Sequence, residues 1–273
     1  MRKAVSFLAL SFLCGVPAEA GDPTICRWTY LPPTIDGKGD DPAWKNAQSV
    51  GPFQRAWDKD PAKRKPLTST EAKLCWDRDN LYFFARMEDG DLFAEKTEHD
   101  ADLWFDDVFE LFFKPSAGFS GYYEFEFNPR NVVLDIYFPQ RGFGDLLRLK
   151  KDFPFHLETA VKLEGTLNKT SDKDKGWAVE GKIPWIDFIR AGGRPRAGDV
   201  WKYAACRYDY SVDFDGPDLS SNAPLQRLSF HQYEDYRPLL FEGPQGDHPE
   251  RPFGLTSLPP VKGIQLKLSL IHI

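Results

Sequence analysis

The fold is decided by the stretch Asp102-Leu103-Trp104-Phe105-Asp106-Asp107-Val108-Phe109-Glu110-Leu111-Phe112-Phe113, which is soon followed by Tyr122-Tyr123-Glu124-Phe125-Glu126-Phe127-Asn128. In the second stretch aromatic residues alternate with polar ones, the period-two pattern of a strand with one buried face. In the first, Phe109, Leu111 and Phe113 share the core face, so Glu110 lies between apolar neighbours on the other face. An ionised carboxylate in such surroundings is costly unless a partner or ligand satisfies it. The two stretches predict neighbouring strands, with a candidate site around Trp104 and Glu110.

Short motifs along the chain follow the order of those in a known family. They are Ile35-Asp36-Gly37-Lys38, Asp41-Pro42-Ala43-Trp44, Leu74-Cys75-Trp76-Asp77, Asn80-Leu81-Tyr82-Phe83, Tyr122-Tyr123-Glu124, Gly176-Trp177-Ala178-Val179-Glu180 and Ile183-Pro184-Trp185. Trp104, Asp107 and Glu110 add a Trp-x-x-Asp-x-x-Glu signature. From Ile35 to Phe241 the chain resembles the family 9 carbohydrate-binding modules and their bacterial relatives. The resemblance implies a secreted β-sandwich that binds a saccharide without catalysis.

Strand patterns recur along the whole central part of the chain, separated by turns rich in Gly, Asp, Asn and Pro. Such spacing, with no long helical period competing, is typical of an all-β protein. We therefore predict an antiparallel β-sandwich with a jelly-roll or immunoglobulin-like two-sheet architecture. The predicted strands are residues 72–77, 81–88, 107–114, 122–128, 132–138, 155–163, 177–183, 200–208 and 239–242.

The two ends of the chain differ from this central domain. Residues 1–20 combine a basic start, a short apolar stretch and small residues before Gly21, which predicts a secretory signal peptide. We therefore expect a secreted or periplasmic protein whose β-sandwich occupies residues 21–243. A Pro/Gly-rich tail or linker is expected over residues 244–267, and residues 268–273 resemble the translation of a sequencing adapter. On that interpretation the chain is the N-terminal part of a longer polysaccharide- or sugar-processing protein, with a fused downstream domain.

Composition narrows the classes of partner. The formal net charge is −6 at pH 7 and no basic run is present, which argues against nucleic acid. Beyond the signal peptide, no apolar stretch reaches the length of a membrane span.

Three cysteines remain beyond the predicted signal peptide, Cys26, Cys75 and Cys206, and an oxidising compartment permits one disulfide. Cys26–Cys206 is the favoured pair because Cys75 lies in a predicted core strand, although sequence leaves the connectivity open.

The resemblance assigns roles to residues of the candidate site. In the family, the residue matching Trp104 stacks on a sugar ring and the residue matching Glu110 binds sugar hydroxyl groups, with Asp107 in the same signature. Tyr210 is the candidate for the second aromatic wall, where a Trp is more usual. The alternative for Trp104 is a structural role at the end of the sandwich. For Glu124 and Glu126 we expect a solvated strand face, with Glu126 near the place of a basic residue in the family.

Three alternative chemistries stay open at this point. A haem-b-binding electron-transfer sandwich would use Met87 as an axial ligand. A glycoside hydrolase would use Glu110 and a neighbouring carboxylate as its acid and base. Structural calcium is possible in the acidic loop that contains Asp213, Asp215 and Asp218, and no other cofactor is expected. The favoured function is a secreted, non-catalytic carbohydrate-binding module.

Overall fold

The computed structural model describes residues 22–151 and 154–244, which are dominated by eleven β-strands. The strands are β1 Thr24–Trp28, β2 Thr70–Trp76, β3 Asn80–Glu88, β4 Val108–Lys114, β5 Tyr122–Phe127, β6 Val133–Phe138, β7 Glu158–Glu164, β8 Gly176–Pro184, β9 Val200–Asp209, β10 Asp218–Ser221 and β11 Arg237–Glu242. The helices are short: α1 Pro42–Asn46, α2 Leu146–Leu149, and single 3-10 turns at Pro61–Lys63, Leu103–Phe105, Trp185–Phe188 and Tyr233–Asp235.

The predicted signal peptide and adapter-like end lie outside the described residues, as does the predicted linker apart from Pro244. Each of the nine predicted strands corresponds to an observed one, with ends shifted by a few residues. The sequence prediction missed β1 and β10, which are among the short strands. Within the described residues, no helix has both the length and the apolar character to cross a membrane.

The strands form one sheet in the order β6-β5-β4-β9-β11-β1-β2-β3-β8-β7, with β10 paired to β9. The sheet curls so that its two halves face each other across a core. Phe83 of β3 and Phe127 of β5 stand far apart in strand order, yet their rings stack with centroids 4.7 Å apart. Two packed layers enclosing one core define a sandwich, so the predicted all-β sandwich is confirmed.

The sheet is mixed at β1, because β1 pairs in parallel with both of its neighbours, β11 and β2. All other pairings of named strands are antiparallel. Antiparallel partners can be joined by tight hairpins, whereas parallel partners need long connections. The chain satisfies this rule by running from β1 to β2 through residues 29–69 and by placing β11 at the other end of the domain.

The core face of each half-sheet follows the alternation in the sequence. Phe109, Leu111 and Phe113 of β4 are all buried in the core between the layers, as the alternation predicts, and so are Tyr123 and the two phenylalanines of β5. They pack against large side chains from β2, β8 and β9, namely Trp76, Trp177 and Trp201. Full burial of a large apolar side chain contributes about 1.5–3 kcal/mol. This aromatic core is therefore the main stabilising element of the sandwich.

Two of the family-like motifs meet at Glu180 on β8. One carboxylate oxygen of Glu180 accepts the indole N–H of Trp44 at 2.6 Å, and the other accepts the backbone N–H of Gly37 at 2.9 Å. Gly37 has φ +77°, a left-handed conformation that favours glycine, and a Cβ there would lie 3.0 Å from the backbone of β7. These hydrogen bonds therefore hold the segment that contains Gly37 and Trp44 against the sheet.

The predicted Cys26–Cys206 disulfide is wrong, because all three described cysteines are free and buried. Cys26 packs in the core between the layers, whereas Cys206 packs in a second cluster on the outer face of β9. Side chains on opposite faces of a sheet cannot meet the short Cβ–Cβ distance of a disulfide. Burial raises the pKa of each of these thiols, so they behave as apolar core groups.

Candidate functional site

A cleft of about 550 Å³ opens on the outer face of the half-sheet that contains β4, β5, β6 and β9. Its floor is the sheet itself, and its rims come from residues 141–146, which enter α2, and from residues 229–231. The volume falls in the range of small-molecule sites. The lining side chains include Trp104, Glu110, Tyr122, Glu124, Glu126, Ile136, Phe138, Arg141, Phe143, Leu146, Tyr208, Phe230 and His231.

Three carboxylates lie together on this floor. Glu110 of β4 is the direct cross-strand partner of Glu126 of β5, and Glu124 stands one pleat further along β5. Their exposed fractions are only 2%, 2% and 5%. The expectation of a solvated strand face for Glu124 and Glu126 is therefore wrong. Strand alternation identifies which face a side chain is on, whereas here residues from distant loops cover that face.

Burial dominates the electrostatics of the three carboxyl groups. It raises the pKa of Glu110 well above its usual range, and the nearby Glu124 raises it further. The pKa of Glu126 is raised well above its usual range by burial first, and then by the charges of Glu110 and Glu124. Burial also raises the pKa of Glu124, while His231 opposes this shift. All three groups are thus pushed toward their protonated forms.

Two of the carboxylate oxygens lack a partner within the described part of the chain. These buried atoms are Oε2 of Glu110 and Oε2 of Glu126. Hydrolysis by an acid–base pair normally needs two carboxyl groups whose pKa values are pushed apart. Here both members of the facing pair are buried and both pKa values are raised. The arrangement does not support the glycoside hydrolase alternative.

Trp104, a predicted ligand residue, is one of the side chains that line the cleft. It lies in the 3-10 turn Leu103–Phe105 immediately before β4, and it is partly exposed. The ammonium group of Lys150 lies over the indole ring, 5.5 Å from its centroid. That ammonium is held by the carboxylate of Asp102 at 2.7 Å and by the backbone oxygen of Asp100 at 2.6 Å. Trp104 lines the same cleft as the three carboxyl groups.

Asp107 does not line the cleft. Its carboxylate accepts the backbone N–H of Phe93 at 2.6 Å and that of Tyr210 at 2.7 Å. The side chain is fully buried, and burial together with the charge of Asp89 raises its pKa well above the usual range. Asp107 therefore joins the segments that follow β3 and β9, and it does not line the cleft with Trp104 and Glu110.

Tyr210 is also placed outside the cleft. Its hydroxyl donates to the backbone oxygen of Trp104 at 2.7 Å, and its ring lines a neighbouring groove of about 440 Å³ beside Phe93. Tyr208, two residues earlier on β9, lines the cleft instead. Tyr208 is the direct partner of Val108 on β4, which shares a face with Glu110. Tyr208 and Tyr210 have the same strand parity, and they differ because β9 ends at Asp209, so Tyr208 is paired with β4 whereas Tyr210 lies beyond the strand.

His231 and Tyr122 are site residues that sequence reasoning missed. The hydroxyl of Tyr122 lies 2.9 Å from Nδ1 of His231, and Nε2 of His231 lies 4.0 Å from Oε1 of Glu124. Tyr122 could have been found from its position two residues before Glu124 on the same face of β5. His231 comes from a loop after β10, and no local pattern in the sequence places it against this strand.

The acidic loop proposed for calcium does not gather its carboxylates. Asp213 and Asp215 are exposed, while Asp218 is buried and paired with Arg55 at 3.0 Å. Calcium prefers six to eight oxygen ligands around one point, so these three residues do not fit it. Elsewhere in the described chain, Asp89, Asp107 and Asp209 form a buried cluster, and His99, Asp100 and Asp135 form a second, less buried one.

The buried cluster already contains a cation from the protein itself. The guanidinium of Arg207 lies 3.4 Å from the carboxylate of Asp89 and 3.2 Å from that of Asp209, and it also donates to the backbone oxygen of Glu88 at 2.7 Å. Burial raises the pKa of Asp209 to about 6, against the opposing charge of Arg207. We therefore interpret this cluster as a structural ion-pair network.

Met87 lies in the core between the two layers and is fully buried. Its thioether sulfur is enclosed by core side chains, which is the ordinary packing role of methionine. A haem needs an open pocket with an axial ligand that points into it. The structure therefore gives no support to the haem-binding alternative.

Solved structures similar to this chain include a candidate carbohydrate-binding protein and two family 9 carbohydrate-binding modules. One is a candidate carbohydrate-binding protein from Bacteroides uniformis, with a TM-score of 0.59 and 15% identity over 80% of this chain and 98% of that one. Another is a family 9 carbohydrate-binding module from Caldicellulosiruptor kristjanssonii in complex with cellotriose, with a TM-score of 0.53 and 18% identity over 84% of this chain and 99% of that one.

A further structure, a family 9 module from Caldicellulosiruptor kristjanssonii in complex with glucose, has a TM-score of 0.52 and 16% identity over 82% of this chain and 100% of that one. At such identities the likeness shows the sandwich fold alone. No curated protein sequence matches the chain. Residues 35–209, more than half of the chain, match the family described as carbohydrate family 9 binding domain-like. On this match the chain belongs to the carbohydrate family 9 binding domain-like family.

Proposed function

We propose that the protein binds a saccharide in the carboxylate-floored cleft and does not itself catalyse a reaction. The observation that carries this proposal is the indole of Trp104 beside buried carboxylates in an open cleft of about 550 Å³. Sugar rings have apolar faces, which suit aromatic walls, and hydroxyl groups, which need fixed acceptors. The family to which the chain belongs, and the glucose and cellotriose complexes of its structural neighbours, support the same class of ligand.

Within this proposal each side chain of the cleft has a separate role. Trp104 and Tyr208 supply the aromatic surface, so Tyr208 takes the role that was predicted for Tyr210. The carboxyl groups of Glu110, Glu124 and Glu126 are the hydrogen-bonding groups of the floor. Carboxylates only accept when ionised, and also donate when protonated, so the floor can match more than one arrangement of hydroxyl groups.

The expected signal peptide supports a protein that acts outside the cytoplasm, in the secreted or periplasmic space. We propose that it serves a polysaccharide- or sugar-processing protein by holding it at its substrate. The negative formal charge of −6 supports a partner that is not a nucleic acid. No role is proposed for calcium at Asp213, Asp215 and Asp218.

A glycan array on residues 21–243, followed by calorimetry at high ligand concentration, tests this function. Trp104→Ala and Tyr208→Ala are each expected to weaken binding by about 1–3 kcal/mol, the scale of one lost aromatic contact at a binding centre. Phe119→Ala is the matched control, since Phe119 is 58% exposed and lies outside the cleft. Unchanged affinity in both cleft variants, with their melting temperatures preserved, would place the sugar elsewhere.

A further inference from the structure

Three carboxyl groups share the floor of the cleft. Glu110 and Glu126 face each other directly across β4 and β5, with Glu124 on the same face. Ionising carboxyl groups that lie directly opposite on neighbouring strands destabilises a sheet, and burial adds to this cost. A chain that retains all three carboxyl groups in one cleft keeps an arrangement that weakens the free protein. Such an arrangement suggests a ligand that compensates for it.

The cationic side chains near the cleft mainly form ion pairs with carboxylates that do not belong to its floor. Arg141 on the rim is hydrogen-bonded to Glu234 and stacks on Tyr233, 4.8 Å from its ring centroid. Lys150 donates to Asp102 at 2.7 Å. His231 approaches Glu124 only to 4.0 Å. The buried Oε2 atoms of the facing pair, Glu110 and Glu126, keep no hydrogen-bond partner among the described residues.

A bare metal ion is a poor candidate for this position. Among the described residues, the groups whose ligand atoms converge closely enough for an ion are those at Asp89 and at His99. The three glutamates of the floor do not form such a group. A primary ammonium differs from a metal ion because its three N–H groups are donors that reach separate acceptors. The floor therefore fits an ammonium group attached to a ring that the aromatic walls can hold.

We propose that the saccharide bound in this cleft carries a protonated primary amine, as in a 2-amino-2-deoxyhexose or a chain of such sugars. This inference rests on the proposed saccharide-binding function and specifies its ligand. The ammonium donates to the carboxyl groups of Glu110 and Glu126 that line the cleft, while Trp104 and Tyr208 contact the ring. Hydrogen bonds between ionised groups are about twice as strong as neutral ones, so the amine is the main determinant of specificity.

The protonation of the floor makes a second, independent prediction. Burial raises the pKa values of Glu110, Glu124 and Glu126, so the free cleft holds protons that exposed carboxyl groups would have lost. An ammonium ligand favours the ionised forms, so its binding must expel a proton. His231, Lys150 and Arg141 are the other charged groups that surround the floor. A neutral sugar makes no such demand.

Calorimetry of residues 21–243 near pH 6.5 with glucosamine, glucose, N-acetylglucosamine and ethanolamine tests the inference. Glucosamine is expected to bind about ten- to a hundredfold more tightly than glucose or N-acetylglucosamine, as one hydrogen bond to a charged group allows. Repeating the titration in two buffers of different ionisation enthalpy should reveal proton release with glucosamine and none with glucose. Glu126→Gln should reduce the affinity for glucosamine to that for glucose, with Glu110→Gln as a second variant.

Glu164→Gln on β7 is the matched control, because Glu164 is exposed and lies outside the cleft. Equal affinity for glucosamine, glucose and N-acetylglucosamine overturns the amine inference and leaves the saccharide function standing. Ethanolamine binding as tightly as glucosamine overturns it as well, because the ring would then contribute nothing. Absence of binding for every sugar, including their tetramers, contradicts the saccharide function itself.

Discussion

Replacing Glu126 by Gln should stabilise the free protein, and increasingly so as the pH rises. The side chain is 2% exposed and lies directly opposite Glu110. Directly opposite residues have Cβ atoms about 5 Å apart, and two unit charges at that separation repel by about 3 kcal/mol at an effective dielectric constant of about 20. The glutamine keeps the shape of the side chain and removes one of the two charges.

The pH dependence follows from the raised pKa of Glu126. In the unfolded chain a glutamate loses its proton near pH 4.3, whereas the folded protein still holds it at that pH. Folding is therefore favoured below this value, and stability is lost as the pH rises toward the folded pKa. The variant lacks this loss, so its advantage should be small at pH 4 and reach about 1–3 kcal/mol by pH 8.

Thermal unfolding at pH 4, 5, 6, 7 and 8 measures this difference. For a domain of this size a gain of 1 kcal/mol raises the melting temperature by about 2–4 °C, so a shift of about 2–12 °C is expected at pH 8. Glu164→Gln on the exposed face of β7 should show no such trend. A Glu126→Gln protein that melts below the parent at pH 8, or a difference independent of pH, would refute the reasoning.

Three further perturbations test other parts of the structure. Phe83→Ala should lower the free energy of unfolding by about 3–5 kcal/mol in chemical denaturation, because it empties the stack on Phe127, whereas Phe119→Ala should change it little. Arg207→Met should cost about 3–5 kcal/mol at pH 7 by leaving buried carboxylates unpaired. That loss should shrink below pH 6, where Asp209 becomes protonated; a constant loss would contradict the network. Reducing agent should leave the melting temperature unchanged, since Cys26 is a free thiol. A lower melting temperature in reducing agent would show that the predicted disulfide forms.

Much of the fold was predictable because it depends on local alternation. The core faces of β4 and β5 can be read directly from the side chains at every second position. The parallel pairing of β1 could not be predicted in this way. Its partners, β2 and β11, are remote along the chain, and Thr24–Trp28 is only five residues long. Local patterns contain no information about which distant strand such a segment will meet.

The site was less accessible to sequence reasoning for the same physical reason. Trp104 and Glu110, which one motif on adjacent elements brings to attention, both line the cleft. Glu124 and Glu126 were assigned to solvent, since alternation cannot show that the loops at residues 141–146 and 229–231 cover their face. Choosing Tyr208 over Tyr210 required the register between β9 and β4, which is a property of the folded sheet.

The position of β1 has a consequence for how the domain assembles during synthesis. The sheet closes only when β1 pairs with β11. Their register pairs Thr24 with Leu239, which come from opposite ends of the domain's sequence. Contacts so distant in sequence form slowly, because a long loop must close first. Until β11 leaves the ribosome, β1 and β9 expose unpaired edges of the kind that recruit other chains. A chain that stops before Arg237 is therefore expected to aggregate, even though every residue of the cleft is present.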